Sequence, residues 1–281
     1  MDEKKLISSL VDLAFAEDIG DGDHTTLSCI PITEIGSSEL IIKEDGILAG
    51  VEVAIGVFKK LDSDLKVEVF INDGAHVKKG DVAFIVKGKV QSILQAERLV
   101  LNIMQRMSGI ATITSMYVKE LEGTTAKVLD TRKTTPGMRL LEKQAVKIGG
   151  GVNHRIGLFD MILLKDNHVD FAGGIENAIL RAKQYLKDNN KDLKIEIEVR
   201  SLEELNEALR VGGVDRIMLD NFSIEKTKEA VQIVNGRVEL ESSGGINFST
   251  IRGYALTGVD FISVGALTHS VMCLDMSLKA I

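Results

Sequence analysis

The sequence predicts an α/β protein: a β-rich N-terminal module followed by a compact, incomplete α/β barrel, with an open doubly wound sheet as the alternative. Beyond residue 120, short apolar runs at 126–129, 161–164, 193–199, 216–219, 238–240 and 261–264 alternate with helical periodicity near 137–148, 174–188, 202–211, 223–234 and 248–257. Apolar runs that short, separated by helices, are strands buried on both faces, as in a parallel sheet. Six such repeats in the last ~165 residues fall short of the ~250 residues of a full eightfold barrel. Residues 37–90 show instead turn-bounded alternation, the pattern of antiparallel strands.

The chain opens with a helical stripe of Leu6, Leu10 and Leu13, flanked by Ile7, Val11 and Ala14. It gives way to Asp18-Ile19-Gly20-Asp21-Gly22-Asp23. A calcium loop starting at Asp21 needs a carboxylate at its twelfth position, where Ile32 stands, so a turn with capping aspartates is expected. Residues 38–43 read as a strand, and Asp45-Gly46 as a turn before 47–49. Val67, Val69 and Ile71 alternate with Lys66, Glu68 and Phe70, and turns at Asp73-Gly74 and Lys79-Gly80-Asp81 precede a strand at 82–86. This stretch resembles the small β-modules that carry lipoyl or biotinyl groups. Lys78 and Lys79 lack the flanking Met or Asp of a carrier lysine, so a structural module is expected. Ile93, Ala96, Leu99, Val100, Ile103, Met104 and Met107 mark a long helix over 91–120, with a break expected near Ser108-Gly109. The domain boundary is placed between 1–110 and 111–281, with the last helix expected to pack back on the N-terminal domain.

Composition narrows the function. The 281 residues carry 34 Lys+Arg against 41 Asp+Glu, a net charge of −7, with 44% hydrophobic and 27% charged residues. Those are globular proportions, not disordered ones. An acidic chain without a Lys/Arg run is a poor nucleic-acid binder. With no Trp and 4% aromatics it also lacks stacking platforms for single strands. Cys29 and Cys273 match no zinc or redox spacing, so a reduced, cytoplasmic protein is expected. No apolar run reaches the ~18 residues of a membrane span, and no signal-peptide core follows MDEKKL.

Both candidate architectures place the active site beyond the C-terminal ends of the strands. Asp130-Thr131-Arg132-Lys133 follows the first barrel strand, and Lys165-Asp166-Asn167-His168 the second. Gly149-Gly150-Gly151 leads to Asn153-His154-Arg155 between them. The third strand contains Glu196 and Glu198, and the fourth ends in Asp220-Asn221. The last two run into Glu241-Ser242-Ser243-Gly244-Gly245 and Gly265-Ala266-Leu267-Thr268-His269. These glycine and hydroxyl loops leave backbone N–H groups free for an anion, and barrels commonly bind phosphate after their final two strands. Arg132, Lys133, Arg155 and Lys165 gather at strand ends in an acidic protein; such a cluster is stable mainly when an anion fills it. A ligand with more than one negative group follows. Glu198 and Asp220 suit Mg²⁺ held beside phosphates, or a sugar's hydroxyls and the positive charge developing at a reacting carbon. Neither His154 nor His168 has the spacing of a metal ligand.

These residues lie in motifs that closely resemble quinolinate phosphoribosyltransferases (decarboxylating): DTRKTTPGMR (130–139), GGGVNHRIGLFDMILLKDNH (149–168), LDN (219–221), ESSGGI (241–246) and GVDFISVGALTHS (258–270). EDIGDGDHTT (17–26) and AERLVLNIMQRMSGIAT (96–112) extend the likeness through the N-terminal part. The resemblance implies an N-terminal α/β sandwich with an antiparallel sheet, a C-terminal open α/β barrel, and a homodimer or higher oligomer with sites completed across the interface. It implies the substrates quinolinate and phosphoribosyl pyrophosphate, Mg²⁺ as cofactor, and nicotinate mononucleotide, pyrophosphate and CO₂ as products, in NAD biosynthesis. By motif, substrate-binding groups fall on Thr131, Arg132, Lys133, His154, Arg155 and Lys165, with Arg98 given by the neighbouring subunit. Ser243, Gly244 and Gly245, with Gly265, Ala266, Leu267 and Thr268, correspond to the phosphate loops. Lys133, Lys165, Glu198 and Asp220 correspond to the catalytic set, the two acids also holding the metal. Glu196 remains an alternative to Glu198, since strand alternation puts both on one face. A related subgroup associated with molybdate transport, a nicotinate-using phosphoribosyltransferase, and a Schiff-base lyase using Lys165 are the competing enzyme readings.

Overall fold

The computed structural model describes residues 2–281, and contacts divide the chain into two compact units. One comprises the chain through Ser115 together with Thr134–Gly150 and Leu267–Ile281; the other comprises Met116–Lys133 and Gly151–Ala266.

The first unit begins with α1 (Glu3–Ile19) and α2 (His24–Cys29). Asp2 caps α1 through the Lys5 amide, and Asp23 caps α2 through the Thr26 amide, so the aspartate-rich loop does act as a capping turn. The stripe on α1 is less buried than its periodicity suggests: Leu6 and Leu13 remain exposed and only Val11 is buried. There follow β1 (Ile35–Ile42), β2 (Gly46–Ile47), α3 (Val51–Leu61), β3 (Lys66–Val69), β4 (His76–Val77), β5 (Val82–Lys89) and α4 (Val90–Glu120). In the antiparallel sheet β5 lies between β1 and β3, while β2 pairs with β4. Leu40, Ile42, Phe84 and Val86 are fully buried, and Phe58 of α3 meets Phe84 edge to face at 6.0 Å. Each such side chain removed from water contributes roughly 1.5–3 kcal/mol.

The expected break at Ser108-Gly109 does not occur, since α4 runs unbroken for 31 residues. The pair serves a close approach instead. Ser108 Oγ donates to the Ala49 carbonyl at 3.1 Å and accepts the Ala49 amide hydrogen at 2.8 Å. A Cβ on Gly109 would lie 2.2 Å from the Met272 carbonyl oxygen.

In the second unit, which also takes in the end of α4, the strands are β6 (Lys127–Leu129), β7 (Ile162–Leu164), β8 (Ile195–Val199), β9 (Arg216–Asp220), β10 (Glu239–Ser243) and β11 (Phe261–Ser263). The helix α5 (Arg139–Ile148) lies in the first unit, whereas α6 (Asp166–Ala172), α7 (Ile175–Asp188), α8 (Leu202–Val211), α9 (Ile224–Val234) and α10 (Ile251–Ala255) belong to the second. All strand pairs in this six-stranded sheet are parallel, in the order β6-β11-β10-β9-β8-β7. That order is the chain order with its first strand joined to its last, as a barrel requires and a doubly wound sheet does not. Among the described residues β6 and β7 do not pair with each other, and Leu129 of β6 instead makes an isolated parallel bridge with Val152. Every residue of β8 is buried: Ile195, Ile197 and Val199 alternate with Glu196 and Glu198, putting the acids on the opposite face from the aliphatic residues.

The chain ends in α11 (Ala266–His269) and β12 (Met276–Ala280). The expected last helix is thus a strand, which pairs antiparallel with β1 from Ser38–Ala280 to Ile42–Met276. With Leu278 opposite Leu40, its alternating Met276 and Leu278 are buried, so the period is that of a strand.

Gly109→Ala should destabilise the protein by roughly 1–3 kcal/mol in denaturant unfolding, the usual cost of overpacking, although Ala favours helix by about 1 kcal/mol. A more stable variant would mean that the carbonyl contact is absent in solution.

Candidate functional site

The strand register aligns the C-terminal ends. Ser243 pairs with Asp220, Leu219 with Val199, and Leu164 with Ile197. Lys165 therefore leaves the sheet on the same rim as Glu198, Asp220 and Ser243.

At the first strand end, buried Asp130 accepts the His154 amide hydrogen at 2.8 Å, which fastens the loop after β6 to the segment carrying His154 and Arg155. Thr131 Oγ1 accepts the Lys133 amide hydrogen at 3.0 Å. Asp160 accepts the amides of Ile156 and Gly157 at 2.7 and 2.8 Å and so shapes the turn beyond Arg155. The buried Arg155 guanidinium donates to the Met161 carbonyl. Burial, followed by repulsion from Arg132, holds Arg155 below its ordinary pKa. Two guanidiniums that near in a partly desolvated place favour an anionic guest.

Beneath these cations lies an acidic layer. His154 Nε2 sits 3.0 Å from Glu196 and 3.5 Å from Glu241. Glu241 also meets Arg216 at 3.0 Å and accepts from Ser263 Oγ. Arg216 lies 3.9 Å from the centre of the Phe261 ring. Burial raises Glu196 to about 6, reinforced by Glu241. Burial also opposes charge on Glu241, but His154, Ser263 and Arg216 together hold it below the usual carboxylate value. In the neutral His154 ring, Nδ1 accepts the Arg155 amide hydrogen at 2.7 Å, leaving the proton on Nε2 toward the acids. A second proton must displace that contact and overcome burial. The facing carboxylates favour it, moving the pKa up to about 9. Arg216 is shared with Glu239 at 3.2 Å, so three glutamates stand against Arg216 and a charged His154. The ligand atoms of His154, Glu196 and Glu241 lie within 4.8 Å of one another, a grouping that sequence spacing around the histidines did not anticipate.

Glu198 sits apart from that layer. Its carboxylate is 3.5 Å from Lys165 Nζ, and burial raises its pKa, with Asp220 and Asp166 adding repulsion against the pull of Lys165. The Lys165 amide donates to His168 Nδ1 at 3.0 Å, which sets the start of α6. Glu196 and Glu198, equivalent in the strand pattern, thus face different partners at different depths.

Thr131, Arg132, Lys133, His154, Arg155, Lys165, Glu198, Asp220, Ser243, Gly244, Gly245, Gly265 and Ala266 all lie in the second unit. Arg98, exposed on α4, and the buried Leu267 and Thr268 belong to the first unit. There the Thr268 carbonyl accepts from Arg106, which also donates to Thr135 and pairs with fully buried Glu142. Sequence reasoning gave no role to Asp130, Arg216, Glu241, Asn221 or the Arg106–Glu142 pair. Alternation of acids with apolar residues in a doubly buried strand was the one signal available for the acidic layer.

Because the carboxylates favour charged His154, its contribution to stability should be complete below about pH 6.5 and lost as pH rises through about 9. Its slope should not exceed about 1.4 kcal/mol per pH unit. Melting temperatures of wild type and His154→Gln across that range should converge at the alkaline end; parallel curves would refute a charged His154.

The models of the quinolinate phosphoribosyl transferase N-terminal and C-terminal domains match residues 23–108 and 110–279. A quinolinate phosphoribosyltransferase [decarboxylating] 1b of Nicotiana tabacum is 45% identical over 288 residues, covering 97% of this chain and 82% of the relative. A probable nicotinate-nucleotide pyrophosphorylase [carboxylating] of Bacillus subtilis is 39% identical over 272 residues, covering 97% and 92%. The solved nicotinate-nucleotide pyrophosphorylase from Francisella tularensis superposes with a TM-score of 0.92 at 43% identity, covering 100% of this chain and 98% of that one. Matched across both halves by sequence and by backbone, this chain belongs to the quinolinate phosphoribosyltransferase family of phosphoribosyl-transferring enzymes.

Proposed function

We propose that the chain transfers the phosphoribosyl group of phosphoribosyl pyrophosphate to quinolinate with loss of one carboxylate, forming nicotinate mononucleotide, pyrophosphate and CO₂ for NAD synthesis. The observation that carries this reading is the pairing of two separate charge environments on one strand-end rim. Arg132, Arg155 and His154 form a cationic group above buried acids, and Glu198 and Asp220 form an acidic one beside the glycine loops. The first fits a ring with two carboxylates, the second the positive charge that develops on a sugar and a cation that would neutralise its phosphates.

Arg132 and Arg155 hold the ring carboxylates by charge-assisted hydrogen bonds, with Thr131 shaping the turn that presents Lys133. The N–H groups of Ser243, Gly244 and Gly245, with those of Gly265 and Ala266, receive phosphate oxygens. Bringing two anions together against their repulsion is the larger part of the task. As the bond from the anomeric carbon to pyrophosphate oxygen breaks, positive charge grows on the sugar, where Glu198 and Asp220 offset it. The pyridine nitrogen supplies the electron pair for the new bond. The carboxylate next to nitrogen then leaves as CO₂, its bonding pair remaining on the ring carbon and taking up a proton. Lys133 and Lys165 are the candidate proton donors.

Mg²⁺ suits the same rim: Glu198 and Asp220 are hard oxygen donors, and burial holds Glu198 above its ordinary pKa even though the pull of Lys165 exceeds the repulsion from Asp220. The ion would neutralise phosphate charge and stabilise departing pyrophosphate. The working form is a homodimer in which Arg98 of one subunit completes the site of the other. Arg98 and the apolar Leu6 and Leu13 are exposed on the single chain, surface of the kind a second copy covers. No helix among the described residues is long and apolar enough to cross a membrane, and the proposed compartment is the cytoplasm.

Incubation with quinolinate, phosphoribosyl pyrophosphate and Mg²⁺ should yield nicotinate mononucleotide and CO₂, and Arg132→Ala should raise the quinolinate KM about a hundredfold, the scale of a lost charged contact, with little change in melting temperature. Failure of the wild type to form the nucleotide would overturn the proposal. Mixing inactive Arg98→Ala and Lys165→Ala proteins should restore up to about one quarter of the sites, since half of randomly paired dimers are mixed and each has one intact site. No recovery, under conditions where subunits exchange, would argue against shared sites.

A further inference from the structure

Asn221, immediately after β9, has φ +54°, one of three non-glycine residues with positive φ among those described. The others are explained by helix ends: Asn235 caps α9 and Asn190 follows the cap of α7. No helix ends at Asn221. Few residues other than glycine hold this conformation without strain, so its recurrence beside a candidate site points to a local function.

Three contacts define that function. The Asn221 amide donates to the Ser243 carbonyl at 2.9 Å, tying the end of β9 to that of β10. Its side-chain Nδ2 donates to Asp220 Oδ2 at 2.9 Å. This amide orientation avoids placing two oxygens face to face. The carboxamide also lies against Gly244: a Cβ there would stand 2.2 Å from Asn221 Oδ1, 2.6 Å from Cγ and 2.9 Å from the Asn221 amide nitrogen. Gly244 itself has φ +99°, so a side chain at this position is refused by both backbone conformation and space.

We propose that Asn221 is a positioning residue for the phosphoribosyl pyrophosphate half of the site, orienting the Asp220 carboxylate through one end of its amide and seating the Ser243–Gly245 loop through the other. This deepens the functional reading above and rests on it. One side chain ties the acid that faces the sugar to the backbone donors that face phosphate. A shift in either is felt by the other. Asn221 stands at the end of β9, beside Asp220 and the Ser243–Gly245 loop, so its coupling acts on the phosphoribosyl pyrophosphate half of the site.

Asn221→Gly separates the side chain's role from the backbone's: glycine keeps the positive φ and the donor to Ser243 but deletes the amide. The expected result is a melting temperature close to wild type, an unchanged quinolinate KM, and a phosphoribosyl pyrophosphate KM raised about tenfold, the scale of one lost hydrogen bond to a charged group. Calorimetric binding of phosphoribosyl pyrophosphate in the presence of Mg²⁺ should weaken by a similar factor. Asn221→Asp, which keeps the shape but turns a like charge toward Asp220, should weaken binding further. Wild-type affinity in Asn221→Gly would overturn the proposal, as would equal losses for both substrates accompanied by a lower melting temperature. A wild type that binds phosphoribosyl pyrophosphate but forms no nucleotide would sink the functional reading alone, with the calorimetric comparison still deciding the role of Asn221. A wild type that does not bind it at all would sink both.

Discussion

The constraint on which the candidate site depends is charge balance in a desolvated place. Arg132 and Arg155 repel one another while Arg155 is buried, and a charged His154 would add a third cation beside them. Unpaired, buried charge is among the most expensive features a fold can carry. The barrel interior supplies the compensation: Glu196 and Glu241 lie below His154, and Arg216 below Glu241. The alternating charges let cations stand at the strand ends before any substrate arrives. Preorganisation of this sort keeps the cost of assembling the site within the folding free energy and out of the binding step.

The same sheet keeps a second charge environment separate from the first. Glu198 is two residues beyond Glu196 on the same face, yet it meets Lys165 and the field of Asp220 and not the His154 layer. Strand rise sets this separation, since two residues advance the chain by about 6.6 Å. The rim thus presents a cationic group and an acidic group side by side. The parallel arrangement is essential here, because it delivers all six strand ends to one rim.

Much of this was legible in the chain. Short apolar runs marked the six parallel strands, and the strand-end motifs that follow them, with Arg132, Arg155, Lys165, Glu198, Asp220 and the Ser243–Gly245 loop, all fall in the second unit. Errors arose where a local signal had a distant cause. Ser108-Gly109 carried the composition of a helix break, but its glycine answers to the Met272 carbonyl, 163 positions along the chain (272 − 109). The last element was taken for a helix although its partner strand, β1, begins at Ile35. Leu6, Leu10 and Leu13 correctly marked a helix, yet periodicity does not say what covers a stripe, and Leu6 and Leu13 stay exposed.

By itself, the sequence determined the alternation of strands and helices, the residue types at each strand end, and the family to which their motifs belong. Those properties are local or repeat along the chain, so neighbouring residues suffice to express them. Tertiary structure decided the closure of β6 on β11, the different partners of Glu196 and Glu198, the balance of His154 by Glu196 and Glu241, the pairing of Glu241 with Arg216, and the contact of Asn221 with Gly244. Each depends on the register between strands remote in sequence, and on electrostatic interactions whose strength is set by burial. Periodicity records which face a side chain takes. Only the folded sheet supplies what stands opposite it.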